Sequence, residues 1–222
     1  RSAIVTGASS GIGETIVNRL LAEGWQVTGI SRRGVDNPHP HFTSLSVDLS
    51  DTVTISAALN ALPVPQAIIH AAGMMAAAPL GELDPAVSAR LWGLHIHAAE
   101  ILFNHFAPRM SAGGRLVAIG SRTSRGAAGR SQYVATKAAL VGMVRSWAAE
   151  LAPRGITANV VAPGAIATDF GGGLVRDNAE VNRQLAAITA LGRVGEPDDI
   201  GPMVASLLSP SNRWVTAQRI EV

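Results

Sequence analysis

Two side chains stand out for the chemistry they could share. Tyr133 is the single tyrosine of the chain and Lys137 its single lysine, so 17 of the 18 basic residues are arginine. A sequence that uses arginine almost everywhere, yet sets its one lysine four residues after its one tyrosine, points to a task that arginine cannot do. Helical positions i and i+4 share a face, and the flanks predict a helix. Ser131 stands at the N-cap, Ala138, Leu140, Val141, Met143, Val144 and Trp147 follow, and Pro153 and Gly155 end the run. A phenol titrates near pH 10, and a neighbouring cation lowers that value at about 1.4 kcal/mol per unit. A shift of one or two units would let Tyr133 exchange protons near neutral pH. Taken alone, the pair reads equally well as an interior tyrosine beside a solvated lysine.

Other elements must position such a pair. Ala3 to Val5 predicts a short buried strand, followed by Thr6-Gly7-Ala8-Ser9-Ser10-Gly11-Ile12-Gly13. A helix comes next, with Ile12, Ile16, Leu20 and Leu21 on one stripe and a stop near Gly24. Strand, glycine turn and helix N-terminus together form an anion-binding device: the backbone can approach a pyrophosphate closely, and the helix dipole favours negative charge. The spacing is T-G-x-x-x-G-x-G rather than G-x-G-x-x-G. Trp25 to Ile30 predicts the second strand, ending at Ser31, Arg32 and Arg33. About 20 residues after a glycine turn, an acid would hold the ribose hydroxyls of NAD and an arginine the 2′-phosphate of NADP. No acid occurs until Asp36, so Ser31 and Arg32 favour NADP, against an ordinary basic loop.

Further strands are expected at 45–47, 67–69, 115–119, 157–161 and 215–222. Helices are expected over about 51–61, from Asp84 and Pro85 to Met110, and from Pro197 onward. Alternating strands and helices, without repeats or a linker, imply one parallel sheet with helices on both faces. His95 and His97 lie two apart on the long helix and so point in different directions, which argues against a metal pair; no metal is expected.

Composition narrows the class. Apolar residues make up 47% of 222 and charged ones 15%, as in a compact α/β protein. A net charge of +2 with no long basic run is no nucleic-acid footprint. Without cysteine there is no disulfide or thiol nucleophile. The uncharged stretch 61–81 is broken by Pro63, Pro65, Gly73 and Pro79, which reads as strand and loop rather than a membrane span. No signal peptide is visible, and a cytoplasmic enzyme is the default expectation.

In this order the motifs resemble the short-chain dehydrogenase/reductase family in its compact single-domain form, including its 3-oxoacyl-carrier-protein reductase-like members. The likeness covers nearly the whole chain. It implies a doubly wound, Rossmann-like α/β sheet and one domain over 1–222, with a substrate lid at about 167–190. It also implies hydride transfer between a nicotinamide and a small carbonyl or alcohol substrate. Ser121, Tyr133 and Lys137 match the catalytic serine and the Tyr-x-x-x-Lys pair. Ser121 would polarise the carbonyl, Tyr133 would act as general acid/base, and Lys137 would lower its pKa and bind the nicotinamide ribose. Cofactor contacts are implied at Gly7, Ser10, Gly11, Ile12 and Gly13, at Ser31 and Arg32, and at Asp48 and Leu49 beside the adenine. Ala71, Ala72 and Gly73 follow, with Pro163, Gly164, Ile166 and Thr168 at the nicotinamide end. A homotetramer or homodimer through helices at about 84–110 and 131–151 is the expected assembly.

The chain departs from the pattern in several places. His70-Ala71-Ala72-Gly73 stands where the family has Asn-Asn-Ala-Gly. His95 occupies the place of the fourth catalytic residue, an asparagine thought to hold a water that links the lysine to solvent. Two readings stand: His95 carries an altered relay, or it fills space. The Ser121–Tyr133 spacing is one residue short, with Ser124 as the fallback serine. An Asp-Gly-Gly tail is expected after Val222, and a few residues before the first strand. Arg122, Arg125 and Arg130 could steer an anionic substrate or form a solvated loop.

Overall fold

The structure, a computed structural model, describes residues 1–222. Its seven strands form one parallel sheet in the order β3-β2-β1-β4-β5-β6-β7. The chain runs β1 (Ser2–Thr6), α1 (Gly11–Ala22), β2 (Gln26–Ser31), β3 (Phe42–Ser46), α2 (Thr52–Asn60) and β4 (Ala67–His70). It continues through α3 (Pro85–Trp92), α4 (Ala98–Phe106), β5 (Arg115–Ile119), α5 (Ser131–Leu151) and β6 (Thr157–Ala162). The last elements are α6 (Leu174–Asp177), α7 (Ala179–Ala187), α8 (Pro197–Leu208) and β7 (Arg219–Glu221).

Strand side chains alternate between the two faces, which divides the core in two. Ile4, Ile68 and Leu116 lie abreast and pack under α2, α4 and α5. Val5, Ile69 and Val117 lie abreast one residue later and pack under α1 and α8. The chain moves outward from β1 to β3, then returns to place β4 on the other side of β1. That reversal opens a crevice at the carboxyl ends of β1 and β4, where ligands of such sheets bind.

Three elements differ from expectation. The third strand is Phe42–Ser46, not 45–47, because its register is set by pairing with Val27–Ser31. It is a largely exposed edge strand, so no buried run marks it in the sequence. The long helix is broken by a π-turn at Gly93–His97 that joins α3 to α4. The closing strand is only Arg219–Glu221, since Ala217 adopts φ 60° and interrupts the extended run from Val215. Asn159 and Ala158 instead hold that approach segment, through Val215 O, Thr216 Oγ1 and Gln218 N. No helix is long and apolar enough to cross a membrane.

Candidate active site

The sequence-predicted residues converge at the carboxyl ends of β1, β4, β5 and β6. The turn after β1 is built by close backbone approach. A Cβ on Gly7 would fall 2.9 Å from Ala72 Cα, and one on Gly11, at φ +55°, 3.3 Å from Thr168 Cγ2. Ser10 precedes α1 without a side-chain cap bond, so the first-turn N–H groups of that helix face the crevice unclaimed. This uncapped cradle suits a pyrophosphate. Thr6 Oγ1 ties the turn to β4 by accepting the N–H groups of Ala71 and Ala72 at 3.1 Å each.

At the end of β2, Ser31 is buried and donates to Arg33 O at 2.6 Å, while Arg32 is exposed. Asp48 accepts from Ser50 N and Ser50 Oγ. Those bonds, with a smaller contribution from the Arg32 charge, hold its carboxyl below the usual carboxylate range. Leu49 is a core residue beside it.

Lys137 and Tyr133 are both buried. Lys137 Nζ donates to Ile119 O at 2.8 Å, at the tip of β5, and lies 5.9 Å from the centre of the Tyr133 ring. Burial pulls the Lys137 ammonium down to about 8. The solvated-lysine alternative is therefore wrong for this fold. The expected lowering of the phenol by Lys137 is also corrected. Burial pushes Tyr133 above its ordinary value, and the groups opposing that are the Ser121 hydroxyl and the Arg130 charge.

Ser121 lies two residues beyond β5 and caps a short 3₁₀ turn, Arg122–Arg125. Thr123 holds its hydroxyl, with Thr123 N–H donating to Ser121 Oγ at 3.2 Å and the two side-chain oxygens 2.8 Å apart. Ser124, the fallback serine, turns its hydroxyl back to Ser121 O. Phe170 lies 6.2 Å from the Tyr133 ring on the lid side. Pro163 O accepts from Arg122 N, Gly164 N donates to Val222 O, and Ile166 bridges to Gly195.

His95 is fully buried and both ring nitrogens are engaged. Met74 N–H donates to Nε2 at 3.0 Å, so the proton sits on Nδ1 and goes to Thr136 Oγ1 at 2.8 Å. Thr136 in turn donates to Tyr133 O at 2.8 Å. Burial, with Lys137 nearby, holds His95 neutral far below the usual imidazole range. No ring nitrogen is left for a water, against the altered-relay reading. His70 is its buried counterpart. Thr6 Oγ1 has accepted two N–H groups, so its proton goes to His70 Nδ1 at 3.0 Å. Nε2 then carries a proton with no hydrogen-bond partner, facing the π-turn backbone. Burial, then Lys137, pulls His70 down to about 3.

The three arginines do not act together. Arg125 is paired with Glu221 at 2.7 Å, Arg122 lies along Gly164, and Arg130 precedes α5. Sequence reasoning missed the hydrogen bonds made by Thr6, Thr123, Thr136 and Met74. Only the side chains of the three threonines were visible in advance, and nothing in their spacing announces a partner.

A family model described as enoyl-(acyl carrier protein) reductase matches residues 7–222. The chain is a short-chain dehydrogenase/reductase. With that membership goes oxidoreductase chemistry, the transfer of hydride to or from a nicotinamide cofactor. The short-chain dehydrogenase/reductase is 31% identical to a cyclic-di-GMP-binding biofilm dispersal mediator protein of Escherichia coli, over 97% of this chain and 92% of that one. It is 30% identical to a 3-oxoacyl-[acyl-carrier-protein] reductase of Vibrio cholerae, over 99% of this chain and 94% of the relative. A blue fluorescent protein from a metagenomic library, solved with NADPH, superposes with a TM-score of 0.89 at 32% identity, covering 100% of this chain and 96% of that one.

Proposed function

We propose that this short-chain dehydrogenase/reductase is NADP-dependent and reduces a small carbonyl compound, or oxidises the matching alcohol, through Ser121, Tyr133 and Lys137. The observation that carries the reading is the buried Lys137 ammonium. It is anchored on Ile119 O beside the phenol, and the Ser121 hydroxyl opposes the upward shift of that phenol. A buried cation without a carboxylate partner is costly, and a site that keeps one is using it.

The bound cofactor supplies the hydride. Gly7, Ser10, Gly11, Ile12 and Gly13 hold its pyrophosphate, and Asp48 and Leu49 its adenine side. Ala71, Ala72 and Gly73 line the crevice floor, and Pro163, Gly164, Ile166 and Thr168 the nicotinamide end. Ser121 hydrogen-bonds the carbonyl oxygen and Tyr133 gives or takes the proton. Lys137 binds the nicotinamide ribose. His95 is a positioning residue that ties Met74 to the Tyr133 helix. Phe170 and the segment 167–190 cover the substrate, and the helices at about 84–110 and 131–151 provide the contact between subunits of a homotetramer or homodimer.

Arg32, exposed at the tip of β2 with no acid at 31–33, supports NADPH over NADH. Parallel titrations of NADPH and NADH, followed by energy transfer from tryptophan, test this. NADPH should bind the more tightly, and an NADH preference would reverse the assignment. The name of the Escherichia coli relative favours a second reading, a nucleotide-binding regulator. Binding of cyclic-di-GMP, with no turnover of acetoacetyl-CoA or an aromatic ketone, would choose it.

A further inference from the structure

Arg219 is the residue of the last strand that reaches back to the Ser121 turn, 98 positions earlier in the chain. Its side chain is 11% exposed. Nη2 donates to Ser121 O at 3.3 Å and to Arg122 O at 3.2 Å. Nη1 donates to Glu221 Oε1 at 2.6 Å, and the same oxygen takes Arg125 Nη2 at 2.7 Å. Nε is buried without a partner, so the guanidinium is placed for the two carbonyls and the carboxylate rather than satisfied all round.

The strand that carries it is itself well anchored. Val160 N donates to Gln218 O, Val222 N to Ala162 O, and Gly164 N to Val222 O. The Ser121 turn is held from its other sides by Pro163 O, which accepts from Arg122 N, and by Ser124, whose N–H and hydroxyl both reach Ser121 O. Arg219 closes the remaining side.

We propose that Arg219 is a positioning residue for the reaction: it clamps the Ser121 and Arg122 carbonyls so that the Ser121 hydroxyl keeps its place in the site. The inference rests on the Ser121–Tyr133–Lys137 reading above. A rigid guanidinium fork can serve two carbonyls and a carboxylate at once, whereas a lysine head on a flexible stem cannot reproduce that geometry. Without Arg219 the Arg122 carbonyl loses its donor, and the turn is held by Pro163 O and Ser124 alone. A displacement of about 1 Å at a reacting group can lower turnover about 100-fold.

The test uses the uniqueness of Tyr133. Labelling with [13Cζ]tyrosine gives one resonance, and its shift reports the phenol's hydrogen bonding without any substrate. Ser121→Ala should move that line. Arg219→Met should move it in the same direction by at least half as much, and added guanidinium chloride at low concentration should return it towards the wild-type position. Should the methionine variant fail to fold, Arg219→Lys, which keeps a cation beside Glu221, should show a smaller shift of the same sign. A line that stays at the wild-type position in the folded Arg219 variants, while Ser121→Ala moves it, overturns the clamp and leaves the catalytic reading intact. A line unmoved even by Ser121→Ala removes the Ser121–Tyr133 pairing and the clamp with it.

Discussion

Lys137→Met should make the cofactor-free protein more stable at neutral pH while removing its turnover. The Lys137 ammonium is buried and titrates at about 8 instead of 10.5. That gap, at about 1.4 kcal/mol per unit, is a destabilisation of about 3 kcal/mol carried by the native state at pH 7. Methionine fills a similar volume without charge. It leaves Ile119 O without its donor, which costs about 1–3 kcal/mol. The net gain expected at pH 7 is about 0–2 kcal/mol, or a rise of up to about 8 °C in Tm for a chain of this size.

The sign reverses with pH. Between about 8 and 10.5 the unfolded chain still binds the lysine proton that the native state has shed. Wild-type stability therefore rises through that window, by about 2 kcal/mol between pH 7 and 9.5. The advantage of the variant should shrink to nothing or turn slightly negative there. Urea unfolding of both proteins at pH 7 and 9.5 measures the four free energies needed. A variant less stable at pH 7, by an amount that does not change with pH, would refute the reasoning.

Three further outcomes are expected. Tyr133→Phe should bind NADPH as the wild type does, by tryptophan fluorescence, and lose about 10²–10⁴-fold in turnover. Arg32→Glu should weaken NADPH binding about 10–100-fold, the worth of one charge-assisted bond to phosphate, with little effect on NADH in the same titration. His70 and His95 are held neutral by burial. Their depressed values mean that the stability they allow is present above about pH 6.5 and lost below it, by about 4 kcal/mol for the two at pH 5. His95→Asn should remove about half of that slope in urea unfolding at pH 7 and 5, and an unchanged slope would exclude His95 as its source.

The succession of strands and helices, the Thr6–Gly13 cradle and the Tyr133–Lys137 face were legible because each is written in a local pattern. The cradle needs glycine where backbones meet, and the pair needs only the helical period. What was not legible depends on distant backbone atoms. His95 could be counted onto the long helix, but its tautomer is decided by Met74 N and Thr136, whose approach requires the folded sheet. The π-turn has no sequence signature among Gly93–His97. Edge strand Phe42–Ser46 lacks a buried run, and the Ala217 bend that shortens β7 is adopted by a residue without a preference for positive φ. The phenol's pKa was misjudged because sequence shows the nearby cation but not the depth of burial that outweighs it.

The His95 bracket constrains how this sequence could have arisen. A Cβ at position 73 would stand 3.2 Å from His95 Nε2, and Thr136 is the acceptor for the other ring nitrogen. Gly73 and Thr136 thus flank His95, and the histidine is conditional on both. A lineage acquiring histidine at 95 before a hydroxyl at 136 would pass through a protein with a buried, unanswered N–H. The hydroxyl must come first, as a silent change whose usefulness appears only later. Ancestral reconstruction of the two positions would then show the hydroxyl at 136 preceding the histidine at 95.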